Sequence, residues 1–150
     1  MNDRPSGTRG EVDKQLSFAL YGAATRMARM HKPFLEPLGL TFPQYLAMLE
    51  LLDAAPQSVG ALGARLGMDT GTITPLVKRL QASGLVTRTR DTADERRVLV
   101  DLTPEGRALD TDVRSVAGKI TSACQLTQEG AEDLRRTLET LAGGADARRT

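Results

Sequence analysis

Apolar residues return every three or four positions from Leu16 to Met30, with Leu16, Leu20, Ala23, Met27 and Met30 in one row and Phe18, Tyr21 and Ala24 in a second. That period marks a helix starting near Val12, and two rows mean that it is covered on more than one side, by its own chain and by a partner chain. Pro33 and the segment KPFLEPLG are expected to end it. Thr41-Phe42-Pro43-Gln44 has capping-box spacing, which predicts a second helix through Tyr45, Met48, Leu49 and Leu52. After Pro56, SVGALGARLGMDTGTITPLVKRLQASGLV predicts two more. Ser58 caps a short helix with Val59, Leu62 and Leu66 inward, and Gly67 breaks it. Asp69 caps the next, with Ile73, Leu76, Val77 and Leu80 inward, and Ser83-Gly84 closes it. Two helices joined by about three residues that include Gly form a helix-turn-helix.

The period then changes. Leu85 to Arg90 and Val98 to Leu102 alternate with period two around a charged tip, which predicts a β-hairpin, a wing directly behind the helix-turn-helix. Thr103-Pro104 starts another helix with the stripe Leu109, Val113, Val116, Ile120 and Cys124, and Thr127 caps a last one striped by Ala131, Leu134, Leu138 and Leu141. Gly143 to Thr150 reads as a disordered tail. The predicted class is mainly α with a small β-hairpin wing (α+β), a single domain over 1–150. Its winged helix-turn-helix occupies about 41–102, and helices at about 11–36 and 103–142 are available for dimerisation.

Composition narrows the function. With 40% hydrophobic and 26% charged residues and no apolar run near the roughly 18 residues of a membrane span, the chain is expected to be soluble, with no membrane partner. Polar Met1 to Gly10 shows no signal-peptide pattern, and a single Cys forms no intramolecular disulfide, so a cytoplasmic location is expected. Net charge is only +1, but Arg65 to Arg97 holds seven basic against four acidic residues, a basic middle that a symmetric dimer doubles. Three Phe and two Tyr leave no stacking platform for single-stranded nucleic acid.

A helix entering the major groove of duplex DNA needs short polar side chains near its N-terminus and cations further along for phosphates. The helix after Asp69 has that layout, with Thr70, Thr72 and Thr74 followed by Lys78 and Arg79. Pro75 breaks the rule for a helix interior by leaving the Gly71 carbonyl without its donor, and such violations concentrate at functional sites. On the hairpin, Arg88 and Arg90 extend the basic face, and DTADERR puts Arg96 at the tip. An arginine there can enter the narrow minor groove, and Asp94 is expected to hold its guanidinium in the inserting rotamer.

The order of elements, with DTADERR in the wing, resembles the MarR family of bacterial winged-helix repressors across nearly the whole chain. Within that family, QLSFALY, LEPLGLTFPQYLAMLELL, LGMDTGTITPLVKRLQASGLVTRTRD and ADERRV are similar to the organic hydroperoxide resistance regulators. The resemblance implies a homodimer made by the terminal helices and two winged lobes on successive major grooves of a pseudo-palindromic double-stranded operator. It also implies autoregulated repression relieved when organic hydroperoxide oxidises one N-terminal Cys. That Cys belongs in the motif LCFALY, where this chain has Ser17. The tyrosines that the family sets around the thiol correspond to His31 and Phe42, while Tyr21 and Tyr45 are kept. Three departures in one pocket fit a relative whose sensing chemistry is lost or altered, answering instead to a small-molecule effector. Cys124 fits the second, resolving Cys of some such regulators; read from the residues, it is either a redox thiol or a small buried hydrophobe ending its stripe.

Other classes fare worse. A thiol enzyme would need Cys124 and His31 as a dyad, for which no third orienting group is suggested, so no catalytic residue and no cofactor are expected. His31 has no second His or Cys near it in sequence, so no metal site is expected, and near a helix end it suits the negative end of the dipole. A protein-interaction winged helix with an incidental basic face is separated from a repressor by salt-dependent duplex binding.

Overall fold

The structure is a computed structural model that describes residues 10–146, with side chains described through 143. A 3-10 turn at Val12–Lys14 and extended Gln15 precede α1 (Leu16–Leu35). The helix ends at Leu35, within the expected segment KPFLEPLG, and Pro33 stands inside its last turn. The carbonyl that loses its donor is that of Arg29; both residues are exposed, so water can take the donor's place. The chain stops two residues later, in a 3-10 turn (Glu36–Leu38) closed by left-handed Gly39 at φ 68°.

α2 (Phe42–Ala54) carries the full capping box: the Gln44 N–H donates to Thr41 Oγ1 at 3.4 Å, and the Thr41 N–H donates to Gln44 Oε1 at 2.9 Å. α3 (Val59–Leu66) and α4 (Thr70–Ala82) form the helix-turn-helix. Ser58 Oγ accepts from the Ala61 N–H at 3.1 Å and Asp69 Oδ1 from the Thr72 N–H at 2.9 Å, while Gly67 turns the chain at φ 66°. The two helices touch at Gly63, where a Cβ would lie 2.9 Å from the Met68 carbonyl oxygen.

β2 (Val86–Arg90) and β3 (Val98–Leu102) pair antiparallel, Val86 opposite Leu102 and Arg90 opposite Val98. A third strand, β1 (Gln57–Ser58), adds to the other edge of β3, giving the order β1-β3-β2. At two residues it is too short to show a period.

The helix expected from Pro104 through Cys124 is broken in two, α5 (Pro104–Ala108) and α6 (Asp110–Ala123). Thr103 Oγ1 accepts from the Gly106 N–H at 3.0 Å and donates to the Gly84 carbonyl at 2.6 Å, tying α5 to the corner between α4 and β2. Gly106 is pressed onto that corner, so a Cβ would sit 2.2 Å from the Leu85 carbonyl oxygen. The Leu109 N–H then bonds back three residues to Gly106, and α6 leaves in a new direction. α7 (Gln128–Asp146) starts at Thr127, whose hydroxyl accepts from the Gly130 N–H at 3.0 Å. It includes residues 143–146 of the stretch expected to be a disordered tail; the rest of that stretch lies outside the described residues.

One core joins the end of α1, α2, α3, α4, β3 and α6, with Met48, Leu51, Leu62, Val77, Leu80, Val100 and Val113 fully buried. Outside it, the N-terminal half of α1 exposes Leu16 (68%) and Tyr21 (73%), and α7 exposes Leu134 (45%), Leu138 (40%) and Leu141 (56%). Among the described residues no helix is long and apolar enough to cross a membrane.

Candidate nucleic-acid interface

α4 buries Ile73, Leu76, Val77 and Leu80. At 100° per residue the opposite ridge is Gly71, Pro75 and Lys78, flanked by Thr72, Thr74 and Arg79. The ridge is low where Gly71 and Pro75 stand, so another molecule can approach the backbone closely, and Lys78 rises one turn later. Thr70, Thr72, Pro75, Lys78 and Arg79 are exposed, and Thr74 is half-buried against the wing.

The wing tip is a hydrogen-bonded loop. The Asp91 N–H donates to the Arg97 carbonyl and the Arg97 N–H to the Asp94 carbonyl, both at 2.9 Å. Asp94 does not hold the Arg96 guanidinium, contrary to expectation: its Oδ1 accepts the backbone N–H of Arg96 at 3.1 Å. Two residues of separation suit a local backbone bond better than a long side chain folding back. The carboxylate that meets a wing guanidinium is Asp91, 3.8 Å from Arg97 Nη1, while Arg90 Nη1 donates to the Glu95 carbonyl at 2.8 Å. Arg96 has no carboxylate partner among the described residues and projects from the exposed tip.

Between wing and α4 lies an open groove of about 330 Å³, whose rim includes Thr70, Thr74, Arg88, Arg96 and Arg97. Arg97 was missed as a site residue by sequence reasoning. ERRV offers two adjacent arginines, and only the hairpin register shows that both border the groove. The first turn of α3, Val59 and Gly60, closes the far side and carried no chemical signal of its own.

The residues expected to form a redox or effector pocket fall into two groups. His31, Phe42 and Tyr45 form a cluster where α1 meets α2, with ring centroids 4.6 Å apart for His31–Phe42 and 5.6 Å for His31–Tyr45. His31 is buried and its Nδ1–H donates to the Met27 carbonyl at 2.8 Å; burial also raises the Tyr45 phenol above its ordinary value. Ser17 and Tyr21 are exposed and not in the cluster: Ser17 stands fourteen residues before His31 on one helix, about 21 Å along its axis. Cys124, half-buried at the end of α6, donates to Met27 Sδ at 3.9 Å. Met27 therefore stands between Cys124 and His31, and the two do not form a dyad. An open cavity of about 480 Å³ borders Phe42 on its other side, with Arg29, Lys32, Leu35 and Leu40 in its walls. No group of three or more His, Cys, Asp or Glu that could hold a metal ion occurs among the described residues.

Comparison with known proteins places this geometry. The family model described as MarR family matches residues 38–97. The organic hydroperoxide resistance transcriptional regulator of Bacillus subtilis (strain 168) is 37% identical over 131 residues, covering 87% of this chain and 89% of its own. The chain belongs to the MarR family. Among solved structures, reduced AbfR bound to DNA, a protein of Staphylococcus epidermidis, superposes on this MarR-family chain with a TM-score of 0.75 at 31% identity, over 89% of this chain and 91% of its own. A probable transcriptional regulator from Pseudomonas aeruginosa superposes with a TM-score of 0.80 at 34% identity, over 87% and 99%. These relatives are regulators of transcription, and α4, β2 and the wing tip lie within the residues that the family model matches.

Proposed function

We propose that this MarR-family chain is a dimeric, cytoplasmic, DNA-binding repressor and not an enzyme. Each lobe lays α4 into a major groove of double-stranded DNA and its wing along the adjacent minor groove of a pseudo-palindromic operator. The observation that carries this reading is the groove that Thr70 and Thr74 of α4 share with Arg88, Arg97 and the carboxylate-free Arg96 of the wing, on a helix whose exposed ridge is Gly71, Pro75 and Lys78. Thr70, Thr72 and Thr74 sit where α4 would first meet base edges, Lys78 and Arg79 where it would meet phosphates, and Arg96 where it would enter the minor groove. The DNA-bound AbfR relative supports binding to DNA.

The test is duplex binding against salt. Affinity of the purified protein for a duplex selected from a random pool should fall linearly on a log–log plot, and Arg96→Ala should weaken it by about 1–3 kcal/mol with the fold intact. Salt-independent binding, or an Arg96→Ala variant that binds like the parent, overturns the reading.

The Bacillus subtilis relative is described by organic hydroperoxide resistance, and this chain departs from the thiol chemistry of that group at Ser17. A second reading therefore gives the same regulator a small-molecule effector. The cavity beside Phe42 favours it, with an apolar wall of Leu35 and Leu40 and the cations Arg29 and Lys32 at its edge.

A further inference from the structure

We propose that the groove between α3, α4 and the wing seats one backbone phosphate of duplex DNA on each lobe, with Arg88 as its clamp. This rests on the DNA-binding reading and adds a division of labour among the wing arginines.

Burial along β2 runs Val86 buried, Thr87 exposed, Arg88 half-buried, Thr89 exposed. Val86 and Arg88 therefore share the sheet face that packs on α4, whereas Arg90, Arg96 and Arg97 are exposed. Arg88 sits opposite Val100, a fully buried residue at the centre of β3, where an apolar side chain would be ordinary. Its Nε is buried and has no hydrogen-bond partner, the one such side-chain nitrogen or oxygen among the described residues. An unsatisfied buried donor on a cation is costly to the free protein, and such exceptions need a reason. No carboxylate lines the groove, while Arg96, Arg97, the hydroxyls of Thr70 and Thr74 and the positive end of α3 do. All of these favour an anion, and a guanidinium matches the tetrahedral oxygens of a phosphate with two parallel N–H donors.

Position decides which anion. The groove separates the element aimed at the major groove from the element aimed at the minor groove. Between two adjacent grooves of a duplex runs one phosphodiester strand, so the strand must pass along this opening when both elements engage. A phosphate there carries no sequence information. Arg88 therefore sets register and affinity, and Arg96 at the tip is left to respond to groove shape.

The experiment compares the full-length protein with Arg88→Gln and Arg88→Lys on two duplexes of equal length, one selected from a random pool and one of mixed sequence. Arg88→Gln should weaken both by the same factor, about ten-fold, and make the salt slope shallower by about 0.9 for each lobe engaged, with no loss of thermal stability. Arg88→Lys keeps the charge, so it should keep the slope and recover part of the affinity. A neutral methylphosphonate placed singly along the selected duplex should weaken the parent at one position per half-site and have no further effect there on Arg88→Gln. An unchanged slope in Arg88→Gln or a loss confined to the selected duplex overturns the assignment. A parent that binds neither duplex in a salt-dependent way overturns the DNA-binding reading itself.

Discussion

The stretch from Thr41 to Leu102 and the helical ends of the chain treat their leucines in opposite ways. In the first, Leu51, Leu62 and Leu80 are fully buried within one protomer, and every helix from α2 to α4 starts on a side-chain cap. In the second, Leu16 and Leu141 leave more than half of their surface in solvent, and no residue of α7 from Gln128 to Gly143 is fully buried. The first region buries its leucines in the core that it shares with the end of α1 and with α6, and it displays a polar, basic face. The second displays apolar stripes of helical period that only another surface can cover, and on the proposed dimer that surface is α1 and α7 of a second copy.

The largest expected effect tests that contrast directly. Leu134 and Leu138 are one turn apart on the exposed side of α7, so Leu134→Glu with Leu138→Glu costs an isolated protomer little, as surface changes do. In a dimer the same pair buries two charges per copy. Sedimentation should show a monomer, and duplex affinity should fall by about 100-fold or more as the two lobes lose their linkage. A variant that stays dimeric means that α7 is not the covered face.

A smaller effect is expected where α5 meets the first region. Gly106→Ala would place a methyl group 2.2 Å from the Leu85 carbonyl oxygen, a backbone atom held by the α4–β2 corner. The strain should outweigh the better helix propensity of Ala and cost about 1–3 kcal/mol, read as a lower midpoint in chemical unfolding, while the protein stays dimeric. Equal stability would mean that α5 is free to move off the corner and does not fix the direction of α6.

The contrast also explains what the sequence made legible. Caps at Thr41, Ser58, Asp69 and Thr127 are local devices spanning three residues, and all four form as read. The two strands of the hairpin followed from period two around the charged tip. What failed to show is what depends on a neighbour far along the chain. The break at Leu109 follows from Gly106 meeting Leu85, the two-residue β1 exists only as an addition to β3, and the groove around Arg88 needs three elements at once. Pro33 can stand inside the last turn of α1 because the carbonyl it orphans can reach water, which a sequence does not display. Of the expected pocket, His31, Phe42 and Tyr45 come together at a junction within one protomer, whereas Ser17 and Tyr21 lie on the open end of α1.

That last separation sets the smallest effect. Because residue 17 lies about 21 Å along α1 from His31, the aromatic cluster can meet a residue 17 only across the dimer. A peroxide-sensing thiolate attacks the terminal peroxide oxygen, the O–O bond breaks, sulfenic acid forms and an alkoxide leaves to take a proton as the alcohol. The Ser17 hydroxyl is not ionised near neutral pH and has no such product, so the protein should hold its operator at low doses of organic hydroperoxide. Ser17→Cys should gain partial release, because Phe42 has no donor to offer a thiolate and the His31 Nδ1–H is spent on the Met27 carbonyl. Adding His31→Tyr and Phe42→Tyr should increase it. Operator release against hydroperoxide dose for the three proteins decides the matter: release from the unmodified chain at low dose would make Cys124, against Met27, the sensor. Indifference in all three would leave the cavity beside Phe42 as the place where an effector acts.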